Sequence, residues 1–186
     1  MKNINYINFT LFLFISFTAY SQDVASADHN ITISVDEVFI MDIESSGSID
    51  IDMGLTSPDE AGATMESTPN SSLWINYTSV LEDVGSESRN ITAQTSAATP
   101  GYILKVIAAA DAGNGEGTTG TPTGEVTLSN TMAQNIIESI GSAYTGDGAS
   151  NGHNLTYTLE SQGTGDFSNL QASTGQTITV TYTITN

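Results

Sequence analysis

Gly101-Tyr102-Ile103-Leu104-Lys105-Val106-Ile107-Ala108-Ala109-Ala110 is apolar at almost every position. A strand buried on both faces reads this way, whereas a strand covered on one side alternates apolar with polar residues. Nearly every other strand candidate in the chain alternates. Residues 101–110 are therefore expected to form a central strand, with one-sided strands packed around it.

Upstream, Ile31, Ile33, Val35, Phe39, Met41 and Ile43 fall on one face, and Thr32, Ser34, Asp36, Asp42 and Glu44 on the other. Period two over this length predicts one long half-buried strand, bent near Asp36-Glu37. Ser45-Ser46-Gly47-Ser48 reads as a turn, and Ile49, Ile51, Met53 and Leu55 as the second arm of a hairpin. Leu73, Ile75 and Tyr77 mark another strand, and residues 90–95 one more, ended by Pro100.

Downstream, residues 111–121 hold four glycines and read as a mobile loop, and residues 125–128 as a brief strand. Met132, Ile136 and Ile140 then recur at helical spacing, widened by Ile137. Ser129 or Asn130 is placed to cap that helix and Gly141 to end it. After a second glycine-rich loop at 146–152, strands follow at Leu155, Tyr157, Leu159 and at Ile178, Val180, Tyr182, Ile184. The expected fold is all-β: one antiparallel β-sandwich of about eight strands with one short helix.

The opening residues carry a basic start, an apolar run from Ile7 to Phe17, and Ala19-Tyr20-Ser21. That is the layout of a secretory signal peptide. Residues 1–21 are expected to be removed, leaving 22–186 as a single domain. The apolar run is too short to span a bilayer comfortably, and no later stretch is long enough, so no membrane insertion is expected. The chain has no cysteine, so stability rests on packing and strand ladders. Three basic residues against 21 acidic ones give a formal charge of −18, which disfavours nucleic acid and anionic membranes as partners.

Two familiar patterns occur without the context their chemistry requires. Gly115-Glu116-Gly117-Thr118-Thr119-Gly120 fits G-x-G-x-x-G, but Thr121-Pro122 and a strand follow where a dinucleotide site needs a helix N-terminus. Gly148-Ala149-Ser150-Asn151-Gly152 fits G-x-S-x-G, with His153 beside it. A nucleophile elbow runs strand, serine, helix, and the expected order here is the reverse. The acidic side chains mostly fall on the solvent faces of their strands, and His29 and His153 are too few for a zinc site. No cofactor is called for. Calcium is the one ion the sequence invites: Asp111, Asn114 and Glu116 place oxygen donors in a glycine loop, with Asp147 in the other glycine loop as a partner if the two loops meet.

Arg89-Asn90-Ile91-Thr92-Ala93, residues 101–106, Leu155-Thr156-Tyr157-Thr158-Leu159 and the closing Val180-Thr181-Tyr182-Thr183-Ile184-Thr185 run in an order that resembles small exported bacterial β-sandwich proteins. These are the spore-coat-U-like, WxL-like and fimbrial subunit domains, and the leader resembles those of exported Bacteroidota proteins. Leu73-Trp74-Ile75-Asn76 departs from Trp-x-Leu, and the paired cysteines of coat-U and fimbrial subunits are absent. The resemblance implies an immunoglobulin- or fimbrial-like sandwich with a structural or adhesive role at the cell surface. The expectation is a secreted non-enzymatic protein of the periplasm or cell surface, whose partners are copies of itself or other surface proteins. The alternative is a calcium-dependent carbohydrate-binding module for an extracellular glycan.

Overall fold

Nine strands, all paired antiparallel, and one 3-10 turn make up the regular structure of the described residues. The computed structural model describes residues 26–83, 87–161, 167–173 and 175–185. The leader expected over residues 1–21 lies outside the described residues. Residues 26–34 carry no regular structure, and the strands all belong to a second unit, Val35–Asn186.

In chain order the strands are β1 (Val38–Ser45), β2 (Asn70–Val80), β3 (Arg89–Thr95), β4 (Ile103–Asp111), β5 (Glu116–Pro122), β6 (Glu125–Thr127), β7 (Gln134–Tyr144), β8 (His153–Glu160) and β9 (Val180–Thr185). β2 pairs with β1 from Val38↔Val80 to Ser45↔Leu73. Its other edge is shared between β8, at Leu73↔Leu155 through Ile75↔His153, and β7, at Thr78↔Tyr144 and Ser79↔Ala143. That shared edge is the corner of the fold. On one side of it lie β1, β2, β8, β4 and β6, and on the other β5, β7, β3 and β9. Both groups contribute to a single core, an arrangement compatible with the expected sandwich.

The alternating sequences supply that core. Leu73, Ile75 and Tyr77 on β2, Ile91 and Ala93 on β3, and Leu155 and Tyr157 on β8 are all buried. Each such aliphatic side chain contributes about 2 kcal/mol by leaving water. On β9 the same alternation is only half covered: Val180, Tyr182 and Ile184 pack on the core without being enclosed.

Four expectations are corrected. The stretch at 101–110 is not central, because β4 lies second from an end of the sheet, between β8 and the three-residue β6. Only Val106 and Ala108 are fully buried on it, and Ile107 is 38% exposed. Small alanines on the outer face of β4 make it look buried on both sides at little cost in exposed surface.

The hairpin between 31–43 and 49–55 does not form. β1 begins only at Val38 and pairs with β2, while Ile31, Ile33 and Val35 are 72%, 82% and 78% exposed. Ile51 and Met53 still pack on the core, but outside any ladder. β2 ends opposite Val38, so this ladder has no partner for the residues before it.

The expected helix is β7, and the one helical element among the described residues is a 3-10 turn, Phe167–Asn169. Likewise, much of the expected mobile loop at 111–121 is β5, paired with β7 from Glu116↔Tyr144 to Pro122↔Ile137. Its glycines permit contact rather than mobility. A Cβ on Gly115 would lie 1.7 Å from the Tyr144 carbonyl oxygen, and one on Gly117, whose φ is +95°, 2.2 Å from that of Ser142.

Candidate functional site

Most of the chain's chemically interesting side chains gather at one end of the strands, where residues 111–115 meet residues 145–152. Asp111 closes β4 and pairs in register with His153, which opens β8; a bulge between Ala108 and Asp111 sets that register. Alternation with Leu155 and Tyr157 turns His153 inward, and its side chain is fully buried.

The His153 ring stacks on Tyr77, with centroids 5.7 Å apart and planes inclined by 12°. Nδ1 lies 2.8 Å from the Ala109 carbonyl oxygen, so it carries a proton, because a carbonyl only accepts. Nε2 lies 2.8 Å from the Tyr77 hydroxyl and 3.2 Å from the Thr119 carbonyl oxygen. The Tyr77 hydroxyl donates to Thr119 O. Burial, and then the negative charge of Asp111, push the Tyr77 phenol well above its ordinary value. Thr145 completes the cluster: its Oγ1 accepts from the Tyr77 amide at 2.9 Å. The cluster ties β2, β4, β5 and β8 together inside the fold.

The three residues expected to hold calcium occupy different settings. Asp111 Oδ2 accepts from the Gly113 amide at 3.2 Å, and its Oδ1 is buried without a hydrogen-bond partner. The Asn114 amide donates to Asn151 Oδ1 at 2.7 Å and to Ser150 O at 3.4 Å. Glu116 is exposed at the first position of β5. The two glycine loops do meet, through these bonds and through the Ala112 amide, which donates to Gly152 O at 2.8 Å. Asp147 contributes its backbone carbonyl, which accepts from the Asn151 amide side chain. Nearby, Asn76 donates to Gly148 O at 2.9 Å while its own Oδ1 is buried without a partner. Among the described residues no three His, Cys, Asp or Glu side chains converge as a metal site would require.

The G-x-S-x-G stretch is a turn. Ser150 has a φ of +72°, and both ring nitrogens of His153 face the protein interior. The G-x-G-x-x-G stretch lies almost entirely in β5, with its amides in a sheet rather than around a phosphate. A shallow cleft of ≈ 270 Å³ lies elsewhere, where residues 64–67 run beside residues 158–161. Ser67, Thr64 and Ser161 hydroxyls stitch its two sides together.

Sequence reasoning missed the pairing of Tyr77 with His153. The signal was present in two alternations, Leu73/Ile75/Tyr77 and His153/Leu155/Tyr157, which send both rings to the inner face. Among the described residues no helix is long and apolar enough to cross a membrane. In comparison with known proteins, the chain matches no family model, no curated protein and no solved structure.

Proposed function

We propose that this chain is a secreted, non-enzymatic structural or adhesive protein of the cell surface, acting through protein–protein contacts. The observation that carries the reading is the exposed apolar run at the start of the described chain. Ile31, Ile33, Val35, Phe39 and Ile40 are each more than half exposed. Several such side chains within ten residues favour a contact surface over a solvated one. The burial of His153 and Tyr77 supports the same reading, because it turns those groups to holding strands together. Fractionation and immunogold electron microscopy of native material test it. The expected result is label on the outer surface or in extracellular structures; label confined to the cell interior overturns the reading.

A calcium-dependent carbohydrate-binding role is the second reading, favoured by the unpartnered Asp111 Oδ1 where the two glycine loops meet. Thermal melts separate the two. The first reading expects calcium and sodium at matched ionic strength to shift the melting temperature equally, by screening alone. A saturable shift at micromolar calcium, absent with sodium, would favour the second.

A further inference from the structure

Residues 31–35, Ile-Thr-Ile-Ser-Val, have the composition and period of a strand yet pair with no strand among the described residues. Their apolar side chains are 72–82% exposed. The reason is local. The β1–β2 ladder starts at Val38↔Val80, and β2 extends no further. Arg89 fixes that start, donating to the Val38 carbonyl oxygen at 3.1 Å and to Glu37 Oε1. Upstream of this clamp the alternation continues with no template in that ladder.

β9 shows the complementary deficiency. One edge pairs with β3 from Asn90↔Thr185 to Thr95↔Val180, and no described strand pairs with the other edge. Its inward side chains, Val180, Tyr182 and Ile184, are half-buried, whereas Ile91 and Ala93 beside them on β3 are fully enclosed. Among the described residues no further strand extends the core on this side. An edge of this kind presents free backbone groups to any strand with matching alternation.

Charge decides which edge a second copy can approach. At −18, like copies repel, so contact is cheapest between uncharged stretches. Residues 30–35 and residues 180–185 carry no charged side chain. The other free edges are poorer templates. β1 carries Asp42 and Glu44, β5 carries Glu116, two glycines and a proline, and β6 is three residues long with Glu125.

Resting on the surface-protein reading, we propose that residues 31–35 of one copy add as a strand to the free edge of β9 in a second copy. Ile31, Ile33 and Val35 then cover Val180, Tyr182 and Ile184, while Thr32 and Ser34 lie beside Thr181, Thr183 and Thr185. Cross-strand pairs of hydroxyl residues are favourable on such a face. Five residues extend about 17 Å, enough to run along most of the six-residue β9. The contact joins two different surfaces, so it propagates head to tail into chains of subunits unless the geometry closes a ring.

The absence of cysteine makes a clean test available. Thr32→Cys is mixed under mild oxidation with Thr181→Cys, Thr183→Cys or Thr185→Cys in the otherwise intact protein. All four threonines are exposed, so the variants retain the fold, as circular dichroism verifies. At least one β9 position is expected to yield a mixed disulfide dimer about tenfold above the control pair with Thr127→Cys on the exposed edge of β6. Adding Ile33→Asp to the Thr32→Cys chain is expected to return the yield to the control level. Yields equal to the control at all three positions overturn the proposal. So does a Thr32→Cys/Thr183→Cys chain that closes its own disulfide at high dilution, because the segment would then cover its own β9. A protein found at the cell surface that fails this test loses strand addition alone, whereas one found inside the cell loses the surface reading.

Discussion

Arg89 is taken fully inside the fold, unlike Lys105, the other basic side chain among the described residues. Besides Glu37, its guanidinium donates to Ser79 Oγ at 2.8 Å and to the Val80 carbonyl oxygen at 3.2 Å, and it lies 4.9 Å from the centre of the Phe39 ring. One side chain thus fastens the start of β1 to the end of β2 from its seat on β3. Arg89→Met is expected to cost about 3 kcal/mol, because it strands several acceptors at once. Glu37→Gln should cost less than Arg89→Met, because the amide keeps an oxygen for the guanidinium and that side chain is partly exposed. Urea unfolding reads both, as a lower midpoint at unchanged slope. Tyrosines offer a second residue-scale prediction. Burial raises the phenols of Tyr77, Tyr157 and Tyr182 above their ordinary value, and the last two hydroxyls are bonded to each other. Above pH ~10 the unfolded chain loses these protons while the folded chain keeps them, so stability falls as pH rises. Absorbance near 295 nm is expected to show these three ionising together with loss of near-UV dichroism. A phenolate signal from them in the still-folded protein would contradict it.

β7 shows why an element can be misread from sequence. Against β3 its register slips twice, leaving an extra residue at Ile136 and another between Ile137 and Ile140, where Ser139 has a φ of +62°. A bulge brings two successive side chains to one side. Buried residues accordingly fall at Ile136, Ile137, Ile140 and Ala143, spacings of three and four that imitate one face of a helix. β8 and β9 were legible because their alternation is unbroken, and β2 because its one register shift falls before Leu73, where the alternation begins. β5 was not, because its glycines answer to the backbone of a neighbour distant in sequence. Gly117→Ala is therefore expected to destabilise by more than about 1 kcal/mol, and hydrogen exchange should rise first along β5 and β7. A neutral effect would mean that β5 is only loosely attached. The candidate site was half legible: composition marked the two glycine loops, whereas their meeting depends on hydrogen bonds between residues distant in sequence and the inward turn of Asp111 on a bulge.

For the whole molecule, charge sets the conditions under which the fold and any assembly are stable. Only Arg89 and Lys105 offset the acids of the described chain, and Lys105 is already held between Glu160 at 2.7 Å and Glu125 at 3.1 Å. Those two carboxylates, Glu160 foremost, raise the Lys105 ammonium above its ordinary value. The remaining acids repel one another through solvent, over a range of about 10 Å at 0.1 M salt. The two groups of strands share one core, so the unit Val35–Asn186 should melt as one.

The placement of Arg89 and Lys105 also governs how the chain meets a protease. Trypsin cuts after arginine and lysine, and the sequence offers it Lys2, Arg89 and Lys105. Arg89 opens β3, paired with Ile140 of β7, the next residue Asn90 pairs with Thr185 of β9, and Lys105 lies between β6 and β8. A protease needs an extended, unpaired segment, so neither bond is cleavable until the ladders around it open. Tryptic digestion of the folded protein is thus a direct clock for opening of the sheet, uncomplicated by nicks at any loop.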